Sequence, residues 1–560
     1  MDRPESPTAE VSPESSAVQV AEAVPPPIAL PLPEEPAAPE PLELLSLDSA
    51  EPEPALASEE EPASPPPSPT TTETPPERPE ASPYRTLANL AVGFVCFFLL
   101  VRTFAIEPFG VPTGSMAPAL IGNHREAPCP RCGYPVTVGA PTGHTGDHYS
   151  NVGCPNCGKR VSLADARDLN GDRLMVDKNV FNVRHPRRWE MGVFHCPDTN
   201  DAKEYRKIYV KRVVGLPGES LTIQDGDVYA NGELLRKGLA ELRETRVTVF
   251  EMAYTPNPGG WNQRWLTEPV ENDPRLPPTA ARPSEPASNS VVRGGELFLD
   301  ANNPEAIAGV IYRQWNLDDR KEEPIRAWAS YNSRSGLTND VPPVHDFAFE
   351  AEVQVEAASP DAGFTCRLFD GVDSVSADVT VGAKANGRAT ITHDGHGPLA
   401  AVRGVSLEPG RTHRVEFSFI DRRAILAIDG KDVLPSTNPP ADLPAVAKRG
   451  DVVRPLQLRA RGCRLVVKNL RIYRDTHYTH SGTHGTERPA VMGAAEYFML
   501  GDNSSCSQDA RNWSVAGVPE GEFIGKPFLI HQPLRPARFT VGGQDRVFQT
   551  VDWPRLRWLH

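Results

Sequence analysis

The sequence predicts a mostly β protein behind one N-terminal transmembrane helix, with a zinc-ribbon insertion and a β-sandwich insertion in its main domain. Three observations carry this. A single long apolar run, residues 87–101, stands out from an otherwise polar chain of 560 residues. Short segments of alternating polarity, broken by Asp-Gly and Asn-Gly pairs, recur along the chain as hairpin signals. Two Cys-Pro-x-Cys-Gly sequences lie close together after the apolar run. At roughly 100 to 200 residues per domain, the length allows several domains.

Residues 1–85 carry 18 acidic residues against three arginines, and 22 of the 59 prolines. Such a segment cannot bury enough apolar surface to offset chain entropy, so it is expected to be a disordered acidic tail. Its net charge of −15 equals that of the whole chain, which leaves the remainder balanced and gives no bulk-charge signal for nucleic acid. Residues 86–106 are long enough to span a bilayer if Arg102 snorkels to the interface, since about 20 apolar residues suffice. The 85 polar residues ahead of the run argue against a cleavable signal peptide.

An interruption at about 124–165 contains Cys129, Cys132, Cys154 and Cys157, with 21 residues between the two pairs. This is the spacing of a zinc ribbon, a closed structural site of four thiolates. Two disulfides are the rival in an oxidising compartment, and the glycine after each pair favours zinc. His144 and His148, in the intervening loop, are expected to be solvated. Strands are expected at 173–176, 193–195, 205–214, 220–223 and 228–230. Residues 240–344 give no clear pattern despite Trp261, Trp265, Trp315 and Trp328. Strict alternation returns in 347–356, 414–419 and 423–431, so residues 345–475 are expected to form a β-sandwich of the concanavalin-like or laminin-G-like kind. His477, His480 and His484 are expected in a loop without metal.

Ser115 lies in Pro112-Thr113-Gly114-Ser115-Met116-Ala117-Pro118, just past the membrane run. A serine nucleophile needs a base. Lys211 is the candidate, because alternation puts Tyr209, Lys211 and Val213 on one strand face, and burial in apolar surroundings favours the neutral amine. Four blocks now stand in order: 112–118, 171–178 with Gly171-Asp172, 209–218 around Lys211, and 501–511 beginning Gly501-Asp502-Asn503. Together they resemble the type I signal peptidases, membrane-anchored Ser-Lys endopeptidases that remove signal peptides from exported preproteins. The family usually has different residues at Thr113, Ala119, Ser504 and Ala510.

The resemblance implies Ser115 as nucleophile, Lys211 as general base, Ser507 as a hydroxyl orienting the lysine, and Asp509 with Arg511 as a structural pair. The Ser115 N–H and the Thr113 hydroxyl would meet the oxyanion. It also implies a catalytic domain of residues 107–239 and 490–560, a single-pass protein of the cytoplasmic membrane with that domain outside, and catalysis without a cofactor. Partners would be preproteins with signal peptides and membrane lipid, with an unknown ligand of the sandwich possible and nucleic acid excluded. The alternative is a membrane-tethered binding protein acting through its sandwich with a relic protease core. Because an insertion must leave and re-enter at neighbouring points, replacing 345–475 by a short linker is expected to spare the site.

Overall fold

The computed structural model describes residues 83–140, 152–198, 206–267, 290–301, 306–332, 341–434, 441–541 and 544–559, apart from positions 258, 262 and 447. The acidic tail up to residue 82, His144 and His148 lie outside them. The apolar run forms the helix Pro83–Phe104, long and apolar enough to cross a membrane, with its large apolar side chains exposed. It leads straight into the strand Ile106–Gly110, which pairs with Arg173–Asp177.

Eight strands make the sheet that carries the candidate site. Its order runs Ile106–Gly110, Arg173–Asp177, Phe523–Ile530, Met191–His195, Ile208–Gly215, Glu496–Leu500 and Val518–Pro519, with Arg557–Trp558 on the side of Phe523–Ile530. Strands from the two ends of the sequence therefore interleave. A four-stranded sheet of Glu233–Leu234, Asp227–Ala230, Ser220–Gln224 and Ala490–Val491 adjoins it. Its two tight turns have Asp225 and Asn231 at φ 50° and 53°, each followed by glycine, as the sequence signal requires.

Residues 247–474 form a third assembly of thirteen strands. The strand Leu456–Arg474 is its spine. It pairs with Phe347–Phe369, and also with Val247–Glu251, Glu296–Asp300 and Ile307–Tyr312. The stretch before residue 345, which has no clear pattern in sequence, thus belongs to the same ladder as the alternating strands after it. Register shifts at Val355/Ala357 and Ala358/Gly363 let the longest strand turn a corner. The scattered aromatics explain the missing periodicity. Phe250 meets Trp261 at 4.8 Å and Tyr312 at 5.1 Å between ring centres, and the Arg264 guanidinium stands over Phe250 and Trp261. That core is built by large residues at wide spacing rather than by alternation.

The insertion leaves and returns at one place. Val247 pairs with Arg474, the Thr245 hydroxyl donates to Asp475, and the Thr476 hydroxyl donates to the Thr245 carbonyl at 2.8 Å. Buried ion pairs fasten it to the four-stranded sheet. Lys237 reaches Asp421 at 3.1 Å and Asp475 at 2.7 Å, and Arg449 reaches Asp227 at 2.8 Å and Asp346 at 3.1 Å. Burial raises the Asp421 carboxyl to about 7 and drives Asp227 well up, against the pull of the facing cations. Removing one partner of such a group typically costs about 3–5 kcal/mol.

These pairings move the natural cut. Replacing 345–475 strips Val247–Glu251, Glu296–Asp300 and Ile307–Tyr312 of their partner, so that variant should be rapidly degraded in limited proteolysis. Replacing 247–474 keeps the paired junction and should leave a more protease-resistant remainder.

Candidate functional site

The loop carrying Ser115 is anchored at both ends by Asp172. The Val111 N–H donates to the Asp172 carbonyl at 2.9 Å, and the Ile121 N–H donates to its carboxylate at 2.7 Å. Arg555 pairs with the same carboxylate at 2.6 Å. The Gly171-Asp172 block therefore holds the serine loop from the start of the neighbouring strand. Inside the loop, Met116, Ala119 and Leu120 are buried against Leu174, Val176, Met191 and Val193. Ser115 is buried but for 8% of its surface, and Thr113 is exposed.

Lys211 sits mid-strand in Ile208–Gly215, opposite Gly192 on one side. On the other, Leu500 pairs with Arg212, which brings Gly501 alongside Lys211 at the end of the ladder. Gly501 is where the predicted residues converge. A Cβ there would overlap Ser507 Oγ and stand 2.5 Å from the Ser115 carbonyl, so no other residue fits without displacing one of them. The Gly501 N–H donates to Asp509 at 3.0 Å. Ser115, Lys211, Ser507 and Asp509 are thus gathered around one backbone position.

Lys211 is fully buried, and its Nζ makes no hydrogen bond among the described residues. Burial lowers its pKa from 10.5 to about 8, against the attraction of Asp509 and Asp502 and with help from Arg511. The Ser507 hydroxyl is near enough to Asp509 to help lower that carboxyl, yet its Oγ has no well-angled partner. Catalytic hydrogen bonds often tighten only once substrate is present. Asp509 and Arg511 are both fully buried and paired twice, at 2.8 Å each. Ser504 adds to this: its hydroxyl accepts from Arg511 at 2.7 Å and its carbonyl at 2.8 Å.

Two features escaped the sequence. Arg212, the neighbour of Lys211, points to the opposite side and pairs twice with buried Asp502, at 2.7 and 2.6 Å. The side chain of Asn503 donates to the Gly114 carbonyl at 2.8 Å, and its backbone N–H donates to the Ser115 carbonyl at 3.0 Å. The Gly-Asp-Asn run was the available signal for both. A cavity of about 900 Å³ opens beside this loop, between Pro118, Asn503, Cys506, Cys154 and Trp328.

Cys129, Cys132, Cys154 and Cys157 are buried, and their sulfurs lie within 4.8 Å of one another. Two approaches cross between the pairs, 3.6 Å for Cys129 to Cys157 and 3.8 Å for Cys132 to Cys154. All four thiols are free. Each pair ends in a glycine of positive φ, Gly133 at 77° and Gly158 at 78°, whose N–H closes the turn onto the first cysteine's carbonyl. This element packs on the insertion: Asn156 exchanges hydrogen bonds with the Glu251 backbone at 3.0 and 2.8 Å. Among the described residues it is the one cluster suited to a metal, and the three late histidines do not join one.

Comparison with known proteins finds signal peptidases. Residues 163–305 match the signal peptidase family, peptidase S26. That span includes Lys211 and excludes Ser115 and Ser507. A probable signal peptidase I-2 of Synechocystis is 39% identical over 64 residues, which are 11% of this chain and 29% of that protein. Signal peptidase I of Leptolyngbya laminosa is 26% identical over 175 residues, 30% of this chain and 63% of that protein. A probable signal peptidase I-1 of Synechocystis is 33% identical over 113 residues, 18% and 58% respectively. The chain spans less than two thirds of the length of each. Among solved structures, the Emp46p carbohydrate recognition domain in its potassium-bound form covers 38% of this chain and 88% of its own, at 8% identity. Its TM-score of 0.23 is too low to bear on the fold.

The Lys211 amine has no hydrogen bond among the described residues and stands 5.3 Å from the centre of the Tyr209 ring, and its burial bears on stability. Below pH 8 the folded protein holds Lys211 protonated and desolvated, a cost the unfolded chain lacks. Between about 8 and 10.5 only the unfolded chain stays protonated, so this group's contribution makes the protein more stable as pH rises through that window. Lys211→Met should therefore be more stable than the parent at pH 7 by up to about 3 kcal/mol, at 1.36 kcal/mol per pKa unit. The gain should vanish above pH 10.5. Denaturant unfolding of both proteins across pH measures it.

Proposed function

We propose that this protein is a membrane-tethered serine endopeptidase that cleaves signal peptides from exported preproteins through a Ser115–Lys211 dyad. The observation that carries the proposal is the fully buried amine of Lys211, without a hydrogen bond among the described residues and lowered to about 8, on a strand position beside Gly501, where an added Cβ would meet the Ser115 carbonyl and Ser507. The likeness to signal peptidases supports it. So does the membrane-length helix that ends some ten residues before Ser115, because a signal peptide's apolar core lies in the bilayer and its cleavage point at the surface.

In this mechanism the neutral Lys211 amine takes the proton as Ser115 Oγ attacks the scissile carbonyl carbon. The Ser115 N–H and the Thr113 hydroxyl hold the resulting oxyanion. Collapse breaks the C–N bond, and the ammonium of Lys211 returns the proton to the leaving amine. Water, activated by the same amine, then hydrolyses the acyl-enzyme. Ser507 orients the amine, and Asp509 with Arg511 fixes the loop behind it. The catalytic body faces the extracytoplasmic side of the cytoplasmic membrane.

The four cysteines fit zinc. Zinc–sulfur bonds of about 2.3 Å in a tetrahedron set sulfurs about 3.8 Å apart, close to the 3.6 and 3.8 Å found here, whereas a disulfide needs about 2.05 Å. Four thiolates leave no open position, so Cys129, Cys132, Cys154 and Cys157 would hold a structural ion that ties the two turns together.

Preprotein cleavage by the purified protein should disappear in Ser115→Ala. It should also disappear in Lys211→Arg, since a guanidinium stays charged at any working pH. For the parent, kcat/KM should rise with pH to a plateau above about 8, because only the neutral amine accepts the proton. A flat profile or an active Lys211→Arg would remove the dyad. Metal analysis with thiol counting on protein purified without reductant should find one zinc and no disulfide at the four cysteines.

A further inference from the structure

The inserted assembly reaches back to the serine loop. Its short helical turn Ser330–Asn332 lies against that loop, two hundred residues away in sequence. The Tyr331 ring occupies the space where a Cβ at Gly114 would be, and its hydroxyl donates to the Asn123 carbonyl at 3.2 Å. Asn332 and Asn503 exchange amide hydrogen bonds in both directions, at 2.5 and 2.7 Å. Asn332 Nδ2 also donates to the Ser505 hydroxyl at 3.1 Å.

The consequence lies in one peptide plane. A trans peptide is planar, with its C=O and N–H pointing in opposite directions. The Gly114 C=O and the Ser115 N–H belong to the same plane, so whatever holds that carbonyl also aims that N–H. Asn503 Nδ2 holds the Gly114 carbonyl, and it can do so only with its nitrogen turned that way, since a carbonyl accepts and cannot donate. Asn332 locks this orientation: with the Asn503 nitrogen turned to the Gly114 carbonyl, the Asn332 Nδ2 donates to the Asn503 oxygen and its Oδ1 accepts from the Asn503 nitrogen, so the two amides turn only together. Released from Asn332, the Asn503 amide can rotate, and the peptide plane loses its fixed direction.

We infer that Asn332 is a positioning residue of the peptidase site, contributed by the insertion, which acts through Asn503 and the Gly114 carbonyl to aim the Ser115 N–H at the oxyanion. The inference rests on the Ser115 dyad proposed above. It assigns the insertion a part in the chemistry of peptide-bond cleavage, separate from any ligand of its own.

The test compares full-length parent, Asn332→Ala, Asn332→Ser and Asn332→Gln in detergent micelles with a model preprotein. Loss of one oxyanion donor costs about 10²- to 10³-fold in kcat, and a misaimed donor should cost less, about 10- to 100-fold. The expected result is that fall in kcat for the Ala and Ser variants, with KM within about twofold and the pH midpoint still near 8. A peptide boronate, which forms a tetrahedral adduct on serine, should lose affinity in parallel, and Asn332→Gln should recover part of both. Unchanged kcat overturns the inference, as does a loss confined to KM or one that tracks loss of folded protein. A parent that cleaves nothing defeats the dyad itself, a different outcome from a parent that cleaves and an Asn332 series that matches it.

Discussion

The constraint on which the site depends is the removal of a primary amine from water. Lys211 has two carboxylates close enough to raise its pKa, Asp509 and Asp502, and either one left free would hold a proton on the amine. Each is committed elsewhere, Asp509 to Arg511 and Asp502 to Arg212, through paired hydrogen bonds of 2.6 to 2.8 Å. Desolvation then outweighs attraction. The two arginines are thus part of the same electrostatic arrangement, one behind the lysine and one beside it in sequence but facing away. The alternation of the strand makes this possible, since residues 211 and 212 must point to opposite faces.

Glycine does the complementary steric work. Lys211 is flanked across the ladder by Gly192 and followed across it by Gly501, and the serine loop abuts the latter with its own carbonyl. A close-packed interior leaves no tolerance for an added methyl at such a point. The loop itself is held from outside, by Asp172 at its ends and by Asn503 in its middle. Blocks far apart in sequence are therefore joined mostly by backbone contacts, which impose few restrictions on residue type at the loop positions themselves.

Much of this was legible in the chain. The membrane-length helix, the hairpins at Asp225-Gly226 and Asn231-Gly232, the cysteine pairs and the strand around Lys211 all have local signals, and each appears where its signal lies. The assembly of residues 247–474 was half legible. Strict alternation marks 347–356 and 414–419, where one face of a strand is buried, whereas the strands at 247–251 and 307–312 have both faces covered or pack through aromatics, which erases the period. The ion pairs of Lys237 and Arg449 and the contact of Asn332 with Asn503 have no local signal at all. They depend on chain segments that meet only after the whole insertion has folded, and a single sequence carries no trace of such meetings.

The stitched junction at Thr245, Asp475 and Thr476 has a consequence for how the protein is made. Ser115 and Lys211 emerge from the ribosome long before Gly501 and Ser507, and 228 residues of insertion separate the junction's ends. If those residues had to be closed as a slack loop when the last strands docked, the entropy of closure would oppose docking. Once the assembly of residues 247–474 has formed, residues 246 and 475 stand at adjacent positions, and the late strands search from a tether of a few residues. By the logarithmic dependence of closure entropy on length, this shortening is worth about 3 kcal/mol. The folded insertion is in this sense a splint, which presents the second half of the site to the first at close range.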